Sequence, residues 1–191
     1  LQYNQIKEKR TFHPTNITAA IYPLTAIPAR LALENKDWKR AANLKLHEMN
    51  LSWKQFPWQE AIHHFAIALG AVNTSDFNTV EEKIEVLKNL HQNLIALNDK
   101  TKSIQIKLVE IQIKTTQAWL SLRQNDLMGG LELMKEAVAI ERKTSKHPVT
   151  PGDVLPAIEM LGDMLLELNK PEDEIATKLL PNYKVEILKN E

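Results

Sequence analysis

Apolar residues recur every three or four positions along most of this chain, and no alternating segment is bounded by the turns of a hairpin. In 79–97, Val80, Ile84, Leu87, Leu90, Leu94 and Leu97 share one helical face, and Thr79 with Glu82 forms a capping-box pattern in front of them. Residues 153–169 repeat the pattern with Val154, Ile158, Leu161, Leu165 and Leu168, Asp153 standing as N-cap and Pro156 inside the first turn. Between these, 102–123 is apolar on several sides (Ile104, Leu108, Ile111, Ile113, Trp119, Leu122), as suits a helix packed between neighbours. A helix from about Leu127 to Glu141 follows "QND". Upstream, 26–47 reads as a helix, a turn at "ENKD" and a second helix, and 57–73 as a helix opening on Pro57. The β-branched residues sit at helical spacing, so an all-α chain of antiparallel helical hairpins is expected.

Composition narrows the function classes. The 191 residues carry 24 Lys+Arg against 24 Asp+Glu, which leaves no net field to attract nucleic acid or an anionic membrane. The absence of cysteine excludes disulfides, thiol chemistry and thiolate metal sites. Runs such as "AIALGAV" (66–72) are far shorter than the roughly 20 residues that span a bilayer. No membrane insertion and no nucleic-acid partner are expected. The opening "LQYNQIKEKR" lacks the apolar core of a signal peptide, and a first residue other than methionine reads as a fragment or processed chain. No compartment is assigned.

Three segments, "AIPARLALENKDWKRAANL", "TQAWLSLRQNDLMGGLELMKEAV" and "AIEMLGDMLLELNKPEDEI", resemble tetratricopeptide-type hairpins. In that family a small residue on the first helix packs against a small residue about a dozen positions later. Ala29 with Ala41 and Ala118 with Gly130 fit, and Ala137 supplies a third small position in the middle segment. Gly162 faces Glu174 instead, and Pro181 arrives early, so the last second helix is expected to be shortened or displaced; Pro28 is expected to kink or delay the first helix. More specifically, "AIPARLALENKDW", "FPWQEAIHHFAIALGA", "VEIQ", "TSKHPVTPG" and "LPAIEMLGDMLLEL", in this order, resemble the C-terminal half of a bacterial group of tetratricopeptide-repeat proteins. The resemblance implies a stacked right-handed superhelix, further N-terminal repeats and no catalytic residue set. On this reading 1–191 is one repeat domain with hairpins at about 22–48, 57–98, 102–142 and 153–180, and 181–191 is a cap or a truncated repeat.

Candidate chemistry is sparse. In "TSKHPVTPG" (144–152), Lys143 and Lys146 suit a helix C-terminus and the prolines stiffen a corner, which accounts for every residue except His147. The competing reading makes His147, with Thr150 and Glu141, a ligand-contacting loop. "EAIHHF" places Glu60 and His64 on one helix face, but His63 and His64 point about 100° apart and cannot easily grip one metal. His13, His47 and His91 lack ligand spacing, so no metal and no cofactor are expected. Glu110, Glu141, Glu159 and Asp163 either converge on a polar pocket or are surface charges pairing with Arg142 and Lys146. "GG" at 129–130 lies in a helical pattern and favours close packing over phosphate binding. Trp38 and Trp119 read as packing residues, and Trp53, Phe56 and Trp58 as a loop sealed onto the core, with an exposed binding anchor as the alternative.

The leading expectation is a non-enzymatic scaffold that binds a protein or peptide through its first helices. Arg30, Gln112, Gln117 and Glu159 are the first-helix polar residues placed on that surface, with Glu141 and His147 added from the corner. Self-association stays open. The alternatives are a metal-dependent or hydrolytic enzyme around Glu110, Glu141, His147 and Asp163, and a structural spacer in a longer protein.

Overall fold

The computed structural model describes residues 17–48, 52–144 and 153–168, with side chains from residue 20 onward. His147 and most of the 144–152 corner, Glu174, Pro181 and the 181–191 segment lie outside the described residues. Among the described residues there are seven α-helices and no strand: α1 (Ile17–Glu34), α2 (Trp38–Ala42), α3 (Pro57–Asn73), α4 (Phe77–Ala96), α5 (Ser103–Arg123), α6 (Leu127–Lys143) and α7 (Ala157–Glu167). Short 3-10 turns at Trp53–Gln55 and Lys100–Lys102 precede α3 and α5. The chain is all-α, and none of these helices is long and apolar enough to cross a membrane.

The helices are joined by one recurring device. Lys36, Ser75 and Asn125 adopt left-handed φ of 51°, 62° and 67°, and each is followed by an aspartate that caps the next helix. Asp37, Asp76 and Asp126 accept from the backbone N–H three residues on, at Arg40, Thr79 and Gly129. Their own N–H groups donate back to Ala32, Ala71 and Ser121, each at 2.9 Å, closing the preceding helix end. Asn98 and Asp99 repeat the pair between α4 and α5, with Asp99 accepting from Thr101 N–H at 2.9 Å. The expected Thr79–Glu82 capping box is therefore displaced: helix α4 starts at Phe77, and Thr79 bonds Asp76 through both its N–H and its hydroxyl, the latter at 2.6 Å.

Counting from these aspartates puts the three hairpins in register. Ala29, Ala68 and Ala118 stand eight positions before the aspartate, and Ala41, Val80 and Gly130 four after it. All are buried. A Cβ on Gly130 would stand 2.8 Å from the Ala118 carbonyl oxygen, so α6 reaches the backbone of α5 only because that side chain is absent.

Helix order then fixes the packing. Helix α3 lies against α1, α2, α4 and α5; α5 lies against α3, α4, α6 and α7. Helices α3 and α5 thus each meet their own hairpin partner and both helices of the hairpin before. That location explains why α3 and α5 are apolar on several sides, and a single apolar cluster runs from Ala26 to Leu165. A smaller cluster of Ile21, Leu24 and Phe56 seals the 52–56 loop onto α1, with Trp58 stacked on Tyr22 at 5.2 Å between centroids and Trp53 Nε1 donating to the His47 carbonyl at 2.9 Å.

Two further helix starts differ from the sequence expectation. Helix α1 runs unbroken through Pro23 and Pro28 from Ile17, because the burial of Leu24, Ala26, Ala29, Ala32 and Leu33 on both sides of the prolines outweighs the missing N–H donors. Helix α7 begins at Ala157, not near Asp153. Pro156 takes the cap position with extended backbone (φ −61°, ψ 142°) and offers no side-chain oxygen. The cap comes from another helix: the buried Glu141 carboxylate accepts from Ala157 N–H at 3.0 Å and Ile158 N–H at 3.1 Å.

Candidate functional site

The odd helices turn one polar or aromatic i,i+4 pair each toward a common side. The positions seven and three before the turn aspartates are Arg30 and Glu34 on α1, Leu69 and Asn73 on α3, and Trp119 and Arg123 on α5. On α7, Asp163 and Glu167, also four residues apart, face the same side. Arg123 ties the row together. Its guanidinium donates to Asn73 Oδ1 at 3.1 Å, binds both carboxylate oxygens of Glu167, and lies 5.2 Å from the centroid of the Trp119 ring. At the outer edge of α1, Arg30 bonds the Asp153 carbonyl oxygen at 3.2 Å and pairs with Glu34 at 3.6 Å.

The pairs on α3, α5 and α7 border a cleft of about 390 Å³. Its floor is apolar, from Trp38, Leu69, Trp119, Leu155, Met160 and Leu166; its polar rim is Lys36, Asn73, Arg123, Asp163 and Glu167. The rim cations are each matched by an anion from α7. Lys36 Nζ donates to Asp163 Oδ1 at 3.2 Å, closing the mouth between the first turn and the last described helix. The cleft is therefore an aromatic and aliphatic trough with balanced charge at its lip, suited to an apolar side chain carried on a polar backbone.

The structure places the sequence-derived candidates as follows. Arg30 belongs to this row but lies outside the cleft lining, paired with Glu34. Gln112 is buried on α5, its backbone carbonyl accepting from Thr115 and Thr116 while its Oε1 has no partner, so it faces the interior and not solvent. Gln117 is half-buried on α5 and Glu159 exposed in the first turn of α7. Glu141 is committed to the start of α7, and Asp163 to Lys36 in the cleft. The residues of the enzyme alternative thus have separate engagements, with Glu110 half-buried on α5 and His147 outside the described residues.

The histidine pair sits away from the cleft lining. Glu60 and His64 approach to 3.8 Å, and the His63 and His64 rings meet edge-on at 5.2 Å. Burial, helped by the neighbouring His64 and Lys83, pushes the His63 pKa down to about 4, so the ring is neutral at physiological pH. No group of three or more His, Asp or Glu that could hold a metal occurs among the described residues.

Sequence reasoning missed Lys36, Asn73, Arg123 and Glu167 and treated Trp38 and Trp119 as packing alone. The register of the turn aspartates is the signal that finds them, because it aligns Leu69 with Trp119 and Asn73 with Arg123. Comparisons of the chain with protein-family models, with curated proteins and with solved structures returned no match.

Proposed function

We propose that the chain is a tetratricopeptide-like scaffold, a right-handed stack of hairpins whose first helices form a concave side, and that it binds a peptide segment in the cleft between α3, α5 and α7. The observation that carries this reading is the cleft's construction. Its wall is built from the same register position on successive first helices, with a tryptophan floor and a charged lip. The threefold turn device and the small-residue pairs support the repeat reading. An apolar or aromatic anchor from the peptide fills the trough over Trp119 and Leu69, while its polar flanks exchange partners with Lys36, Asn73 and Glu167.

The test is selection of a displayed random-peptide library on the immobilised chain, followed by titration of the enriched peptides. Enriched peptides are expected to bind the wild type and to lose at least tenfold in affinity to Trp119→Ala, with Glu110→Ala unaffected. Equal binding to both variants, or no enrichment over uncoated support, overturns the reading.

A further inference from the structure

The floor of the cleft is all but sealed. Leu69 and Met160 are each 1% exposed and Trp119 7%. The space above them can hold a side chain, yet the ion pair of Lys36 and Asp163 spans its mouth. An anchor carried on a peptide backbone reaches Leu69 and Trp119 only if that mouth widens, so one wall has to move. The packing of each wall singles out α7. Helices α3 and α5 are each held by their own hairpin partner and by both helices of the hairpin before. Helix α7 is shorter, 11 residues against 17 in α3 and 21 in α5, and it packs chiefly on α6 and a little on α5.

One face of α7, with Ala157, Met160, Leu161, Met164 and Leu165, is buried, so the helix does not come away from the core. Its other edge is tied across the cleft by polar links. Arg30 donates to the Asp153 carbonyl just upstream, Lys36 meets Asp163, and Arg123, braced by Asn73, meets Glu167. A stack of helical hairpins ordinarily joins each unit to its neighbours alone. Here Arg30 and Lys36 of the first hairpin meet residues 123 and 127 positions later. The side chains of the two ion pairs keep between 24% and 61% of their accessibility, so water and salt compete for them and their separation costs little. The start of α7 is fixed more firmly, because the buried Glu141 carboxylate accepts from Ala157 and Ile158 N–H. A pivot there gives the greatest travel to Asp163 and Glu167, on the lip.

We infer that α7 is a gate over the cleft. It rocks on α6 about the Glu141 cap, and the parting of Lys36 from Asp163 and of Arg123 from Glu167 uncovers Leu69 and Trp119. That the gate admits a peptide rests on the reading proposed above; the movement itself does not. The chain has no native cysteine, so single thiols report the movement. Leu69→Cys on the floor, and Leu87→Cys, fully buried on α4 outside the cleft, are labelled with a maleimide under native conditions. Asp163→Ala should speed labelling of the Leu69→Cys protein up to about fivefold, as loss of one exposed ion pair allows. High salt should speed it with Asp163 in place. The Leu87→Cys protein should keep one slow rate, which measures unfolding. Floor labelling that ignores both changes, or that rises only in step with Leu87→Cys, overturns the gate. Admission is tested by Lys36→Cys with Asp163→Cys, bridged by a short bismaleimide that closes the mouth covalently. The bridged protein should bind library-selected peptides at least about tenfold more weakly than the same double variant unbridged. Equal binding by both overturns the gate and leaves the peptide reading standing. A floor that opens as expected in a chain that binds no peptide overturns the peptide reading and leaves the gate.

Discussion

His63 shows how one side chain can set the pH range of the fold. It is 6% exposed on α3, and its folded pKa of about 4 lies below the ordinary 6.5 because burial penalises the imidazolium. Between those two values the unfolded chain binds a proton that the folded chain refuses. Stability is therefore full above about 6.5, falls as the pH drops toward about 4, and is not lost further through this group below that. The loss is on the order of 3 kcal/mol at most. Thermal melts across this window should show the decline in the wild type and a much flatter profile in His63→Leu. A wild-type profile matching the variant's would remove His63 as its cause. Glu141 is a different kind of buried group: its charge is met by two N–H donors at the positive end of α7. A glutamate that looks like a candidate acid in sequence is, in the fold, the cap that Pro156 cannot provide.

At the scale of elements, small residues decide how closely helices approach. Alanine is the better helix former by about 1 kcal/mol, so Gly70→Ala would stabilise an isolated α3. In this fold the added Cβ meets backbone atoms of α2 at 2.2 to 2.8 Å, and backbone cannot rotate away. The variant should lose about 2 kcal/mol or more in urea unfolding; an unchanged or raised midpoint would show that α2 yields freely. The same physics separates what could be read beforehand from what could not. The bodies of α3, α5 and α6 were legible because their apolar residues keep helical spacing over many turns, and the Ala118 with Gly130 contact was legible from residue size. The second hairpin's pair, Ala68 with Val80, escaped notice because valine is not small. The starts of α4 and α7 were misplaced for a related reason. Ser75 and Asp76 look like ordinary turn residues until the left-handed φ is known, and Glu141 caps from sixteen residues away, beyond any local pattern. The polar members of the cleft were hidden because Asn73 and Arg123 are unremarkable alone and meet only when α3 and α5 lie side by side.

For the molecule as a whole, the contacts across the cleft mouth are exposed ones. Lys36 and Asp163 retain 61% and 42% of their side-chain accessibility, so water screens the pair and its coupling should be below about 1 kcal/mol. A double-mutant cycle of Lys36→Ala and Asp163→Ala, followed by thermal unfolding in low and high salt, checks this; a coupling of several kcal/mol would make the clasp a structural brace. A weak clasp leaves the mouth free to exchange its internal partners for those of a bound segment. The Arg123 guanidinium resting against Trp119 adds a last consequence, an optical one. An indole's emission depends on the charge beside it, so any occupant that draws Arg123 away must change the colour or yield of Trp119. With Trp53 and Trp58 replaced by phenylalanine, the remaining fluorescence comes from Trp38 and Trp119, both on the cleft wall, and the protein becomes its own unlabelled gauge of whether the trough is filled.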